Sequence, residues 1–114
     1  MKLLIAGGGT GGHINPAIAI ANEFAKEYEN SEILFAGTKK GMESDLVPKA
    51  GYQIEFIDVE GFLRMKSFYN FIVIGKFVKS IFKCMSIIKR FKPDIVVGTG
   101  GYVSAPVVLA AHLL

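Results

Sequence analysis

The sequence predicts an α/β fold, a Rossmann-like parallel sheet with helices on both faces. Short apolar runs alternate with longer amphipathic stretches along the whole chain, the pattern of strands joined by right-handed crossover helices. Two of these runs end in turns of nearly the same composition, Gly9-Thr10-Gly11-Gly12-His13 and Gly98-Thr99-Gly100-Gly101-Tyr102. At 114 residues, 51% apolar and 20% charged, the chain is long and apolar enough to bury a core as one globular domain.

Taken in order, Lys2 to Ala6 reads as a buried strand by length and composition. Pro16 to Tyr28 reads as an amphipathic helix with Ala17, Ile20, Ala21, Phe24 and Tyr28 on one stripe. Asn15 fits its N-cap and Pro16 its first helical position. Glu32 to Ala36 is a second strand closed by Gly37-Thr38, and Met42 to Ala50 a short helix interrupted by Pro48. Tyr52 to Asp58 is a third strand, with Ile54, Phe56 and either Ile57 or Val59 facing the core. Gly61 to Tyr69 reads as a loop and Phe71 to Phe91 as a long helix. Asp94 to Val97 is the fourth strand, and a last helix starts near Ser104. The chain stops at Ala111-His112-Leu113-Leu114, inside an apolar helical run, so it is expected to be the first part of a longer protein.

The charge is unevenly distributed. Residues 61–93 carry Arg64, Lys66, Lys76, Lys79, Lys83, Lys89, Arg90 and Lys92 and no acid, while the remainder is net acidic within a total of +3. A sector this basic suggests an anionic partner. Nucleic acid is not expected, because the basic residues alternate with large aliphatics and no recognised binding motif is present. The single cysteine, Cys84, excludes a disulfide framework and reads as a small buried hydrophobe in a reducing compartment. Only four apolar residues follow Lys2 before the glycines, short of the roughly 7–15 that a signal peptide needs.

The long helix has an apolar arc too broad for one core-facing side. Val73, Phe77, Ile81, Cys84 and Ile88 can pack on the sheet, which leaves Phe71, Ile74, Val78, Phe82 and Met85 over, beside a narrow polar stripe of Lys76, Lys79, Ser80, Lys83, Ser86 and Arg90. Apolar surface rimmed by lysine fits a membrane-surface contact, where each lysine near an anionic bilayer contributes about 1 kcal/mol. A spanning helix is disfavoured, since a lysine at the bilayer centre costs roughly 2.5–3.5 kcal/mol. A second domain or partner covering this face is the alternative.

The two glycine turns carry the chemistry. A glycine-rich strand-to-helix turn lets backbone N–H groups approach a phosphate, and the helix N-terminus adds positive dipole. After strands one and four of a doubly wound sheet, both turns would face the crevice where strand order reverses. Gly7, Gly9 and Gly12 formally match a dinucleotide fingerprint, but no acid ends the second strand, so only an NADP site using Lys39 and Lys40 stays open. His13 is either a bystander on a solvated turn or a functional ring. Beside a helix N-terminus its pKa would fall, and a neutral imidazole can take a proton from a hydroxyl.

AGGGTGGHINPAIAIA, GTKKGMESDLVPKAGY, VEGFLR and KPDIVVGTGGYVSAPVVLAA together resemble the N-terminal half of the MurG family, bacterial GT-B glycosyltransferases of family 28. The resemblance spans essentially the whole chain. An extra glycine in the first loop, and Ala105 before Pro106 where some members have glycine, are its departures. It implies metal- and cofactor-free inverting transfer of N-acetylglucosamine from UDP-GlcNAc to lipid I, giving lipid II for peptidoglycan synthesis and cell-wall biogenesis. Residues 1–114 would be the acceptor-side domain, on the cytoplasmic face of the cell membrane as a peripheral protein, without the C-terminal donor-binding domain and hence inactive alone. Thr10, Gly11 and Gly12 would touch the donor across the cleft; His13, the candidate general base, would line the acceptor diphosphate site with Gly100, Gly101, Tyr102 and Ser104. The membrane patch would comprise Phe71, Ile74, Val78 and Phe82 with Lys76, Lys79 and Lys83. A non-catalytic membrane-docking subunit of a split transferase and an NADP-linked oxidoreductase domain are the alternatives.

Overall fold

The structure is a computed structural model that describes residues 1–8, 11–58, 68–100 and 104–114, without the side chains at 11–13, 68–71 and 73. Strands β1 (Lys2–Ala6), β2 (Glu32–Gly37), β3 (Gln53–Phe56) and β4 (Ile95–Gly98) alternate with helices α1 (Gly11–Glu27), α2 (Glu43–Lys49), α3 (Phe68–Phe91) and α4 (Ser104–Leu113). The sheet is parallel in the order β3-β2-β1-β4, so β1 is central and the order reverses beside it, between β1 and β4.

Strand alternation sorts the core into two layers. Leu3, Ile5 and Phe35 point to one face and pack with Ile14, Ala17 and Ala21 of α1 and Val47 of α2. Leu4, Ala6, Leu34 and Ala36 point to the other, against Cys84 and Ile87 of α3 and Val107 and Ala110 of α4. Helices therefore cover both faces, as the alternation of apolar runs predicts.

Several boundaries move for reasons that lie in packing. Helix α1 starts at Gly11, so Asn15 is not its N-cap and Pro16 sits inside it. Ile14 is fully buried against β1, and extending the helix upstream achieves that burial. Pro16 forfeits one backbone bond, to the Gly12 carbonyl one turn back. Pro48 likewise lies within α2 without interrupting it, close to the C-terminal end. Strand β3 is shorter than Tyr52–Asp58 because this edge strand pairs only with Leu34–Gly37. Ile54 packs on the α1 face and Ile57 on the α3 face, while Val59 lies outside the described residues. Strand β4 begins at Ile95 because Asp94 is engaged with Lys2: its carboxylate accepts from the Lys2 N–H at 2.8 Å, and its own N–H donates to the Lys2 carbonyl at 2.8 Å.

Helix α3 starts at Phe68, three residues before the predicted start, so the expected loop is shorter at that end. Its covered side is also wider than periodicity suggests. Ile87 is buried, and Met85, expected to be left over, packs against the core with Phe77, Ile81, Ile88 and Phe91. Ser80, expected on the polar stripe, is buried; its hydroxyl hydrogen-bonds the Lys76 carbonyl at 2.7 Å and the Asp58 carbonyl. Ser80 lies one turn before Cys84, on the side of α3 that meets the core, and the chain after β3 closes over it at Asp58, while α4 packs along α3.

Candidate functional site

The two glycine turns leave the sheet from neighbouring strand ends. Strands β1 and β4 pair with Ala6 opposite Gly98. The Ala6 carbonyl then accepts from the Thr99 N–H at 2.9 Å and from the Ser104 hydroxyl at 3.0 Å. Ser104 closes the second turn on itself: its Oγ accepts from the Gly100 N–H at 3.1 Å and lies 2.7 Å from the Gly100 carbonyl oxygen. Gly100 has φ +117°, a conformation L side chains rarely adopt, which explains glycine there. Gly98 is needed for contact instead: a Cβ would fall 2.9 Å from Cγ2 of Val108, so α4 rests directly on the strand.

On the other side of this mouth, α1 begins inside the first glycine turn, with Gly11, Gly12 and His13 as its first three residues. The first N–H groups of any helix lack intrahelical partners, and the dipole adds positive potential there. Helices α1 and α4 both begin at this topological switch point, and the N–H groups of a helix's first turn suit an anion. Of the expected site residues, the backbones of Gly11, Gly12, His13 and Gly100 and the whole of Ser104 meet at this end of β1 and β4. Thr10, Gly101, Tyr102 and the His13 side chain lie outside what is described. Among the described residues no cluster of three His, Cys, Asp or Glu is placed to hold a metal ion.

Glu43 heads the Glu43…Leu46-Val47-Pro48…Gly51-Tyr52 pattern within GTKKGMESDLVPKAGY, part of the family resemblance, and the structure gives it a definite place. It opens α2 yet is fully buried, with its carboxylate accepting from the Thr38 N–H at 3.0 Å and the Thr38 hydroxyl at 3.3 Å. Apart from that pattern, an acid at a helix start is the sequence signal that marks it. Its burial also bears on the nicotinamide reading, because the acid nearest the end of β2 is sealed away from any ribose. Lys39, one of the two candidate 2′-phosphate ligands, lies over the Phe56 ring at 5.8 Å.

The N-terminal domain of glycosyltransferase family 28 matches residues 3–114. The chain belongs to glycosyltransferase family 28. Its relatives include UDP-N-acetylglucosamine–N-acetylmuramyl-(pentapeptide) pyrophosphoryl-undecaprenol N-acetylglucosamine transferases. That of Clostridioides difficile (strain 630) is 50% identical over 113 residues, covering 99% of this chain and 28% of the relative. That of Thermoanaerobacter sp. (strain X514) is 51% identical, covering 99% and 31%. The chain thus spans about 30% of the length of the curated relatives it matches. Among solved structures, Acinetobacter baumannii MurG superposes with a TM-score of 0.82 at 32% identity, over 98% of this chain and 32% of that one. The Streptomyces sp. SF2575 glycosyltransferase SsfS6, at 17% identity and TM-score 0.65, shares the fold. Membership of a glycosyltransferase family displaces the oxidoreductase alternative.

In this family 28 domain, α3 presents a continuous apolar stripe to the outside. Ile74, Val78 and Phe82, spaced at i, i+4 and i+8, are 47%, 46% and 67% exposed. Lys79 and Lys83 are exposed beside them. Lys76 is half-buried and lies 3.8 Å from Asp58, so part of its charge is offset. Phe71 is outside the described side chains. A shallow groove lined by Phe82, Met85, Ser86, Lys89 and Arg90 continues the stripe towards the helix end. Arg90 is held by Glu55 of β3 at 2.5 Å. Among the described residues no helix is long and apolar enough to cross a membrane. Cys84 is buried as expected, and burial pushes its thiol up to about 12, with a smaller opposing pull from Lys83.

Proposed function

We propose that this chain forms the acceptor side of an inverting transfer of N-acetylglucosamine from UDP-GlcNAc to lipid I, giving lipid II for peptidoglycan synthesis. The pairing of Ala6 with Gly98, which sets both glycine turns at one cleft mouth, carries this reading. Amides at the start of α1 bind the acceptor diphosphate, with His13, Gly100, Gly101, Tyr102 and Ser104 lining the same site. Thr10, Gly11 and Gly12 approach the donor. The nucleotide pocket belongs to a second domain, for which the further length of the relatives leaves room.

Chemically, the acceptor C4 hydroxyl attacks C1 of the donor sugar in line. The C1–oxygen bond to UDP breaks, and UDP leaves with the bonding pair. The hydroxyl proton goes to a neutral imidazole, for which His13 is the candidate. In a full-length transferase carrying this domain, His13→Ala is expected to lower turnover far more than acceptor binding; unchanged turnover removes the base role. The 114-residue chain alone is expected to show no turnover, because the donor half of the cleft is elsewhere.

The stripe of Ile74, Val78 and Phe82, with Phe71 at its start and Lys76, Lys79 and Lys83 at its rim, rests on the anionic cytoplasmic face of the cell membrane, as a peripheral contact. Exposed apolar side chains with lysine neighbours support this reading. Co-sedimentation with anionic vesicles, with and without lipid I, tests docking and acceptor recognition together. Binding to bare vesicles that lipid I strengthens is the expected result; equal binding with and without lipid I refutes acceptor recognition, and no binding to either refutes docking.

A further inference from the structure

We propose that Glu43 is a positioning residue: its buried carboxylate clamps the loops after β1 and β2 together and so sets the shape of the first glycine turn. This deepens the acceptor reading and rests on it for the ligand. The carboxylate occupies a niche walled by backbone. A Cβ at Gly8 would fall 2.2 Å from Oε2, one at Gly41 would fall 1.9 Å from Oε1, and one at Gly37 would fall 2.5 Å from Cγ. Gly8 leads out of β1 into the glycine turn, Gly37 ends β2, and Gly41 lies in the loop before α2. Glycines at the ends of two strands and in the loop before α2 thus leave room for one side chain.

The polar contacts run the same way. Oε2 accepts from the Thr38 N–H and hydroxyl, and the Thr38 Oγ1 in turn accepts from the Gly41 N–H at 3.2 Å. The β2–α2 loop is therefore tied to the carboxylate, and the carboxylate fills the space against Gly8. Taking a carboxylate out of water is costly unless hydrogen bonds compensate, so packing alone would be served as well by an apolar side chain. One carboxylate oxygen accepts from both the N–H and the hydroxyl of Thr38 and so holds that residue in one orientation. Glutamine keeps one acceptor oxygen, but puts an NH2 in place of the other oxygen and removes the charge.

The test uses the 114-residue chain, with inorganic pyrophosphate as probe and backbone amide exchange as a second readout. Glu43→Gln is expected to weaken pyrophosphate binding at least tenfold and to speed exchange at Thr38 and Gly41, whose N–H groups are tied to the clamp. Exchange at Leu4 and Ile5 in the centre of β1 should change much less. Gly8→Ala keeps the glutamate but puts a methyl where its carboxylate sits, so it should reproduce both effects. The Gly8→Ala/Glu43→Gln double variant should lose less pyrophosphate affinity than the two single losses combined, because both break the same clamp. Loosened exchange with unchanged pyrophosphate affinity would overturn the proposal, since Glu43 would then be structural only. Additive effects in the double variant would overturn it too. If the unaltered chain binds no pyrophosphate while both variants speed exchange at Thr38 and Gly41, the acceptor reading falls and the clamp itself is upheld.

Discussion

Replacing Ser104 with alanine tests the convergence of the two turns most directly. The Ser104 hydroxyl joins three segments: it accepts from the Gly100 N–H, lies within hydrogen-bond reach of the Gly100 carbonyl, and donates to the Ala6 carbonyl of β1. The Ala6 carbonyl keeps its bond from Thr99, so the main loss is the Gly100 N–H partner and the tie to β1. Each lost hydrogen bond costs about 1 kcal/mol net. Better helix propensity of alanine at the start of α4 returns up to about 0.5 kcal/mol. The expected destabilisation is about 1.5 kcal/mol, close to a tenfold change in the folding equilibrium. For a domain of this length the unfolding entropy is roughly 0.24 kcal/mol/K, so Tm should fall by about 6 °C. Urea unfolding followed by circular dichroism gives the free energy and calorimetry the Tm; the m-value should stay constant. Ser86→Ala on the exposed side of α3 is the control, expected within about 0.5 kcal/mol of the parent. A Ser104→Ala variant as stable as the control would show that this hydroxyl does not hold the second turn to β1.

Cys84 should react with a thiol reagent only on unfolding, since its thiolate is suppressed by burial. Its folded pKa of about 12 lies above the ordinary 9.0, so its contribution is complete below pH 9 and is lost as pH rises towards 12. The difference in unfolding free energy between the parent and Cys84→Ala should therefore shrink above pH 9, by up to about 1.4 kcal/mol per unit; a flat difference would contradict this. Lys92 ends α3 with φ +56° while its N–H donates to the Ile88 carbonyl at 2.8 Å. Lys92→Gly should raise stability by about 0.5–1 kcal/mol in urea unfolding, as relief of left-handed strain outweighs the added chain entropy of glycine. Phe82→Asp should reduce binding to anionic vesicles at least tenfold, given about 1.5–3 kcal/mol for burying a phenylalanine side chain. It should leave Tm nearly unchanged, because that ring is exposed; a matching fall in Tm would instead mean the ring packs in the fold.

Local patterns were enough to read most of the architecture. The first strand is found at Lys2–Ala6, as its length and composition predict, and the paired glycine turns follow β1 and β4 as their composition implies. These signals are legible because strand alternation, helical periodicity and glycine backbone freedom act within a few residues. The stripe of Ile74, Val78 and Phe82 is exposed as the broad apolar arc of its helix required.

What needed the folded chain is whatever depends on distant segments meeting. The burial of Ile14 against β1 starts α1 at Gly11 and not at Pro16. The Asp58 carbonyl closes over Ser80, and Met85, which periodicity had assigned to the outside, packs against the core that α3 shares with the sheet and α4. Glu43 shows the limit most clearly. In the sequence it is one more acid at a helix start; in three dimensions Gly8, Gly37 and Gly41 enclose it. Sequence spacing encodes the direction in which a side chain leaves its own element, but the cost or benefit of burying it is set by atoms that arrive from elsewhere in the chain.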